Sequence, residues 1–387
     1  MESCYLVSAV RSAVGKGKKD GALAAVHPIE LSAQVMRAAI RGAGIEAALV
    51  DDILWGCAMP EAGQGLNVAR LSSLRAGIPV DVPSATINRF CSSGLQTIAF
   101  GAQSIMAGTA DVVLAGGVEM MSQVPMSGYH TRLDPEATES YIGMGFTAER
   151  VADRWKVTRD EQDRWALRSQ MNATRAIGDG TFEGQIVPIA IEDVRWSGAR
   201  KETVARTFTR DELPRPETTL EGLGKLKPAF KAKGTVTAGN ASPYSDGAAA
   251  VVLMSESKMK ETGAKPIARF VAFAVAGVDP DIMGIGPIKA VPKALKRAGL
   301  SLSDIDLIEF NEAFAAQVCA VMKDLSMDES MVNVNGGAIA LGHPLGATGA
   351  KLTTQLVHEL KKRGGGTGLV TMCIGGGMGA AGIFEVE

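Results

Sequence analysis

From Phe90 to Ala110 the chain carries no charged residue, and Leu95, Ile98, Ala99, Ala102, Ile105 and Met106 recur there at the 3.6-residue period of a helix. A surface helix shows charge opposite its apolar stripe, but here the other face offers only Ser, Thr, Gln and Gly. The spacing predicts a helix over 91–107 that is buried on both sides, sandwiched between sheets. Its polar content speaks against a membrane span, and no window approaches the roughly 18 uninterrupted apolar residues that a span requires. An interior helix demands layers around it, and 387 residues can build them without disulfide staples.

Short apolar runs supply those layers. Tyr5 to Val10, Ala110 to Ala115, Ala248 to Met254 and Leu369 to Cys373 read as buried strands alternating with helical segments, the pattern of an α/β protein. The carboxy-terminal third repeats the plan. A strand from Asp306 to Phe310 leads into a helix that starts at Asn311, a favoured N-cap residue, with Phe314, Val318, Val321 and Met322 on one stripe. A second helix, Leu345 to Leu360, follows a Gly-rich turn and precedes the last of those strands. The two halves read as copies of one βα unit, Asn88 to Gly94 in the first sitting where Asn335 to Gly349 sits in the second. From about Glu119 to Asp246 the composition shifts to Arg, Lys, Glu, Pro and Thr, as expected of an insertion lying over the core. Forty-five glycines are an excess that points to backbones approaching each other or a ligand closely.

Several classes are disfavoured. Forty Lys and Arg against 42 Asp and Glu leave a net charge of −2, without the basic surface that nucleic-acid binding needs. Five widely spaced cysteines, with no CxxC pair and no metal-ligand spacing, make neither a disulfide framework nor a zinc ribbon. The apolar run near the amino terminus is too short for a signal-peptide core, so a cytoplasmic location is expected.

Four segments can carry chemistry. Cys91 at a helix start would meet unpaired amides and the positive end of the helix dipole, which lower a thiol's pKa and make a nucleophile; alone, it could equally be a small buried apolar residue. His343 lies among glycines just before a helix, and a chain with four histidines rarely spends one so. The other three, His27, His130 and His358, read as surface or structural. Cys373 ends a strand in Cys373-Ile374-Gly375-Gly376-Gly377-Met378-Gly379, where a thiol could exchange a proton while a backbone amide binds an oxyanion, though a glycine-rich hairpin would look the same. Asn311 stands at a strand-to-helix corner and could be a plain cap.

Taken together, NRFCSSG (88–94), NEAFA (311–315), GHPLGATG (342–349) and CIGGGMG (373–379), with Gly116 to Ser122 and Thr237 to Ser242 between them, resemble the thiolase family in order and spacing. The resemblance covers essentially the whole chain. It implies an α/β fold of two repeated βαβαβαββ core domains in a five-layered α-β-α-β-α arrangement with an inserted loop domain. The first core would comprise 1–118 and 247–268, the CoA-binding loop domain 119–246, and the second core 269–387. It implies thiolytic cleavage of 3-ketoacyl-CoA to acetyl-CoA and a shortened acyl-CoA, a reversible Claisen condensation through an acyl-cysteine intermediate. By that likeness Cys91 carries the acyl group, His343 takes the proton of Cys91 or of the CoA thiol, and Cys373 exchanges the α-proton of acetyl-CoA. Asn311 holds a water that, with His343, binds the thioester oxygen; the amides of Cys91 and Gly375 form a second oxyanion site.

The resemblance further implies no metal and no tightly bound cofactor, with coenzyme A as co-substrate, acyl-CoA and CoA as partners, and a homodimer or homotetramer whose contact lies near Gly63 to Arg70. Between Arg195 and Lys233 ten basic residues face five acidic ones, a local surplus that suits phosphates. Arg215 would meet the adenine nucleotide; Phe230, Met144 and Phe314 would contact CoA, and Ala241 and Ser242 would bond to its pantetheine. Gly222 stands where the family often has Ser. Acetoacetyl-CoA thiolases typically carry His-Met-Gly where this chain has Gly143-Met144-Gly145, and Lys16-Gly17-Lys18-Lys19 and NRFCSSGLQ look like degradative members. A 3-ketoacyl-CoA thiolase of fatty-acid degradation is therefore favoured over an acetoacetyl-CoA thiolase. A ketoacyl synthase would lack the terminal cysteine, and a non-catalytic acyl-CoA or lipid carrier of this shape would be expected to have lost one of the four motifs.

Overall fold

The computed structural model describes residues 2–125, 133–197 and 200–387, and of residues 138 and 193–202 only the backbone. Nine main strands are β1 (Cys4–Ser12), β2 (Asp52–Gly56), β3 (Ser84–Ile87), β4 (Val112–Met120), β5 (Ser245–Ser255), β6 (Ala268–Gly277), β7 (Leu307–Phe310), β8 (Gly366–Ile374) and β9 (Met378–Val386). The helices that matter to the site are α1 (Pro28–Ala43), α2 (Ser93–Met106), α3 (Met144–Trp155), α4 (Arg159–Gly178), α5 (Gly286–Ala298), α6 (Ala315–Leu325) and α7 (Leu345–Arg363). The strands run in the order β7-β8-β9-β6-β1-β5-β4-β2-β3.

Strand residues here alternate between two faces that are both apolar. In β4, Val113 and Ala115 pack into one core while Val112, Leu114, Val118 and Met120 pack into another; β5 divides Val251 and Leu253 from Val252 and Met254 in the same way. Such strands can lie only inside a stack of layers. The stack has five. Helix α1 covers the outer face of β3-β2-β4-β5-β1; α2 and α7 fill the middle; β7-β8-β9-β6 follows; α5 and α6 close the far side. Among the described residues, the two half-sheets are joined where β1 pairs with β6 at Tyr5–Arg269 and Leu6–Ala268.

The uncharged segment is therefore an interior helix, as its composition predicts. It is buried from Cys91 to Ala99, while Phe100 and Gln103 reach the surface near its far end, which is where Gln serves as solvent-facing polarity rather than packing. Glycines make the central contact possible: a Cβ on Gly349 of α7 would lie 2.1 Å from the Leu95 nitrogen of α2, and one on Gly94 would lie 2.8 Å from the Ala350 nitrogen. No wider residue fits there.

Residues between β4 and β5 hold α3, α4 and a two-stranded ribbon pairing Ile189–Ser197 with Arg200–Phe208. The expected basic residues Arg195, Arg200 and Lys201 have side chains outside the described residues, as does His130. A wholly buried ion pair, Arg11 with Asp211 at 2.8 Å, fastens this region to β1. Among the described residues no helix is long and apolar enough to cross a membrane.

Candidate active site

The strands deliver their chemistry at one end. Cys91 lies beyond the carboxyl end of β3, Asn311 beyond that of β7 and Cys373 at that of β8, with β7 and β8 parallel and Asn311 N–H donating to the Thr371 carbonyl at 3.0 Å. In stacked α/β sheets this end is where ligands are bound.

Cys91 was expected at the first turn of an α-helix. It sits instead in a 3₁₀ turn, Phe90–Ser92, that precedes α2. Asn88 shapes that turn by accepting the Phe90 N–H at 2.8 Å, and the Ser93 hydroxyl oxygen accepts that of Arg89 at 2.9 Å. Phe90 takes a φ of 44°, a left-handed conformation that costs a bulky residue energy and so marks a constrained position. The Gly375 N–H near the Cys91 sulfur favours its thiolate, while the charge of Cys91 disfavours that of Cys373. Burial outweighs that amide. It pushes the Cys91 thiol up to about 11 and Cys373 well above the ordinary thiol range, so the resting site holds two neutral thiols rather than the low-pKa thiolate expected.

His343 is tied down at three points. Its backbone N–H donates to the Ser245 hydroxyl at 3.0 Å, and its ring Nδ1 lies 2.6 Å from the Thr348 oxygen. The Asn311 amide nitrogen Nδ2, a donor, faces Nε2 at 3.2 Å. Nε2 therefore accepts with its lone pair, and Nδ1–H donates to the Thr348 oxygen, whose own proton reaches the Pro344 carbonyl at 3.0 Å. Burial, helped by the Lys351 ammonium, drives the imidazole down to about 3, so it is neutral and able to accept a proton.

Asn311 does not cap a helix: α6 begins at Ala315, with Phe314 at the cap position, because the chain extends through Phe314 to pair with Ala241. Freed from capping, the Asn311 side chain reaches His343, and its buried Oδ1 has no partner within the protein. An open acceptor beside an imidazole fits a water molecule donating a hydrogen bond.

The glycines after Cys373 leave room where side chains would intrude. A methyl group placed on Gly375 would lie 3.6 Å from the Met144 sulfur and 3.9 Å from the Phe90 ring. Met144, Phe314 and Cys373 share one apolar cluster. Phe230 packs edge-on against Phe314 at 6.2 Å and Phe146 at 6.3 Å, and its ring occupies the space above Gly145, where a Cβ would be 2.2 Å away. Around Phe230, an open depression of about 360 Å³ is lined by Lys227, Pro228, Lys231 and Lys233, cations beside an aromatic wall. Arg215 is exposed, held through its N–H to Gln170 at 2.8 Å. The Ser242 N–H is already used on the Ala313 carbonyl at 3.0 Å, so any bond from Ser242 to a ligand falls to its hydroxyl. Gly222 donates its N–H to the Thr219 hydroxyl, and its lack of a side chain leaves open the position where the family often has Ser.

Sequence reasoning passed over Phe90, Ser245 and Thr348. Phe90 and Thr348 lie inside the two motifs already singled out, but nothing in a linear sequence says that a threonine five residues on folds back onto the imidazole. Ser245 is 98 residues from its partner.

Two family models match: thiolase, N-terminal domain, over residues 4–257, and thiolase, C-terminal domain, over 264–386. A 3-ketoacyl-CoA thiolase of Bacillus subtilis (strain 168) is 51% identical over 391 residues, covering 100% of both chains. An acetyl-CoA acetyltransferase of Rhizobium meliloti (strain 1021) is 46% identical over 394 residues, covering 98% of each. Among solved structures, human mitochondrial 3-ketoacyl-CoA thiolase superposes with a TM-score of 0.90 at 42% identity, covering 100% of this chain and 99% of that one. The Bacillus anthracis acetyl-CoA acetyltransferase does so with 0.92 at 44%, over the same shares.

Proposed function

This chain belongs to the thiolase family, and from that premise we propose how its residues divide the reaction. It is an acyltransferase that cleaves 3-ketoacyl-CoA with CoA, and runs the reverse condensation. Cys91 loses its proton to the unprotonated Nε2 of His343, in place of the Asn311 amide, as its sulfur adds to the ketone carbon. The adduct collapses with rupture of the bond between that carbon and the α-carbon, whose electron pair becomes the enolate of acetyl-CoA. Cys373 gives that enolate its proton. His343 passes the proton it took from Cys91 on to the Cys373 thiolate. The acyl-Cys91 thioester is then attacked by the CoA sulfur, whose proton goes to the freed His343 and from there to the Cys91 sulfur as acyl-CoA leaves. The amides of Cys91 and Gly375 stabilise one developing oxyanion; the water on Asn311, with His343, stabilises the other.

The observation that supports this reading is the buried His343 ring held between Asn311 at Nε2 and Thr348 at Nδ1, with Cys91 and Cys373 at the carboxyl ends of their strands. Acetyl-CoA added to the protein should leave one acetyl group on Cys91 by mass spectrometry, and none on a Cys91→Ser variant; a protein that stays unmodified is a binder, not this enzyme.

We assign longer 3-ketoacyl chains as the preferred substrates. Gly143 is exposed at the N-cap of α3 beside Met144 and carries no ring; its nearest neighbour is the Phe146 ring, 3.3 Å from where a Cβ would stand. A chain-length series that gives activity only with the four-carbon substrate would instead make this an acetoacetyl-CoA thiolase. Residues 119–246 are taken as the CoA-binding insertion between core segments 1–118 with 247–268 and 269–387, with Arg215, Phe230, Met144, Phe314, Ala241 and Ser242 along the CoA path. A homodimeric or homotetrameric assembly is supported by Leu66, which is 90% exposed, and by exposed Leu71, Leu74 and Val80 nearby. A cytoplasmic, degradative role completes the assignment.

A further inference from the structure

Glu119 is completely buried at the end of β4, in a position none of the steps above employs. Its two oxygens accept hydrogen bonds from four groups. Oε2 takes the N–H of Ala58 at 2.9 Å and that of Gly346 at 2.8 Å; Oε1 takes the N–H of Met59 at 3.2 Å and the amide of Gln64, with the Cys57 thiol at 3.9 Å. All of these neighbours are donors.

What the donors belong to gives the carboxylate its meaning. Gly346 lies in the first turn of α7, three residues after His343. Ala58 leads to the nucleophile: its carbonyl accepts the Asn88 side-chain amide at 3.1 Å, and the other end of Asn88 accepts the Phe90 N–H in the turn that carries Cys91. A single oxygen of Glu119 thus bridges the histidine loop and, through one peptide unit and Asn88, the cysteine turn. Gly117, on the same face of β4, lets the strand approach so closely that a Cβ there would be 2.1 Å from the Gly346 carbonyl. The strand touches the histidine loop at two successive positions of one face.

We propose that Glu119 is a positioning residue that holds the His343 loop in register with the Cys91 turn. This role rests on the assignment of Cys91 and His343 given above. It acts through hydrogen-bond count: a glutamine has only one acceptor oxygen, so its NH₂ would face either the Gly346 and Ala58 amides or those of Met59 and Gln64, and one loop would have to move.

The test compares wild type, Glu119→Gln and Gln64→Met, the last removing one donor to Glu119 together with the acceptor of the Met120 N–H. Each is assayed for kcat and KM in thiolysis, and for the rate of Cys91 alkylation by iodoacetamide near neutral and at strongly alkaline pH. A misplacement of about 1 Å costs up to ~100-fold in rate, so Glu119→Gln should lose ~10- to 100-fold in kcat with KM nearly unchanged. Its Cys91 should alkylate correspondingly slowly near neutral pH, where His343 must take the proton, yet at the wild-type rate in alkali. Wild-type kcat in folded Glu119→Gln overturns the proposal, as does a loss that matches the unfolded fraction and slows alkylation equally at both pH values. Should Glu119→Gln not fold, Gln64→Met decides, by a smaller kcat loss of the same signature or by its absence. Wild-type protein that takes no acetyl group from acetyl-CoA would refute the catalytic assignment itself, a different failure from that of Glu119.

Discussion

Thr348 decides which nitrogen of His343 is a base. Thr348→Val keeps the shape but removes the acceptor for Nδ1–H, so the ring can adopt the tautomer whose Nε2 is protonated. General-base catalysis contributes roughly 10²- to 10⁴-fold, and part of that should go: kcat falls ~10- to 100-fold, with KM little changed, and Thr348→Ser restores most of it. The same imidazole makes stability depend on pH. Burial lowers it from 6.5 in the unfolded chain to about 3 in the folded one. As pH falls below about 6.5 the unfolded chain binds a proton that the folded one refuses, so stability drops through this range and levels off near pH 3. Denaturant midpoints between about pH 7 and pH 4 should decline, and decline less steeply in His343→Gln.

Helices α2 and α7 form a layer only because the first turn of α2 touches the second turn of α7 backbone to backbone. Gly349→Ala would place a methyl group 2.1 Å from the Leu95 nitrogen, in a contact with no flexible side chain to yield. Overpacking of this kind costs about 1–3 kcal/mol, read as a lowered Tm. Since α2 follows the turn of Cys91 and α7 follows the loop of His343, kcat should fall as well. An unchanged kcat would mean that the two loops are held independently of the helices behind them.

The segment between β4 and β5 is fixed to both half-sheets by buried side chains. Asp211 accepts both Arg11 guanidinium nitrogens, at 2.8 and 2.9 Å, and the Val14 N–H at 2.8 Å, while Arg11 also reaches Gln185 and lies over the Phe182 ring. On the other side Glu312 accepts from Trp165 and Ser169 of α4 and from Asn333 and Ile339 of the second core. Asp211→Ala strands a buried guanidinium and should cost about 3–5 kcal/mol, insensitive to added salt because both side chains are wholly buried. Denaturation curves with and without 0.5 M salt, roughly five times the ionic strength at which screening reaches 10 Å, would check this; a salt-dependent loss would mean the pair is solvated.

Much of this was legible in the linear chain, because burial and helical period are local properties of composition. The uncharged segment from Phe90 declared an interior helix, alternating apolar strands declared a layered α/β fold, and four motifs in order pointed to a thiolase, with Cys91, Asn311 and Cys373 placed at the carboxyl ends of their strands. What the chain could not declare by itself was the electrostatic state of those groups. A helix start favours a thiolate and Asn311 makes a good cap, yet burial reversed the first and the pairing of Phe314 with Ala241 removed the second. Desolvation and hydrogen-bond partners are set by whichever distant residues arrive beside a group, as Ser245 does for His343 and Glu119 for Gly346. Proton affinity and tautomer were therefore decided by the tertiary structure alone.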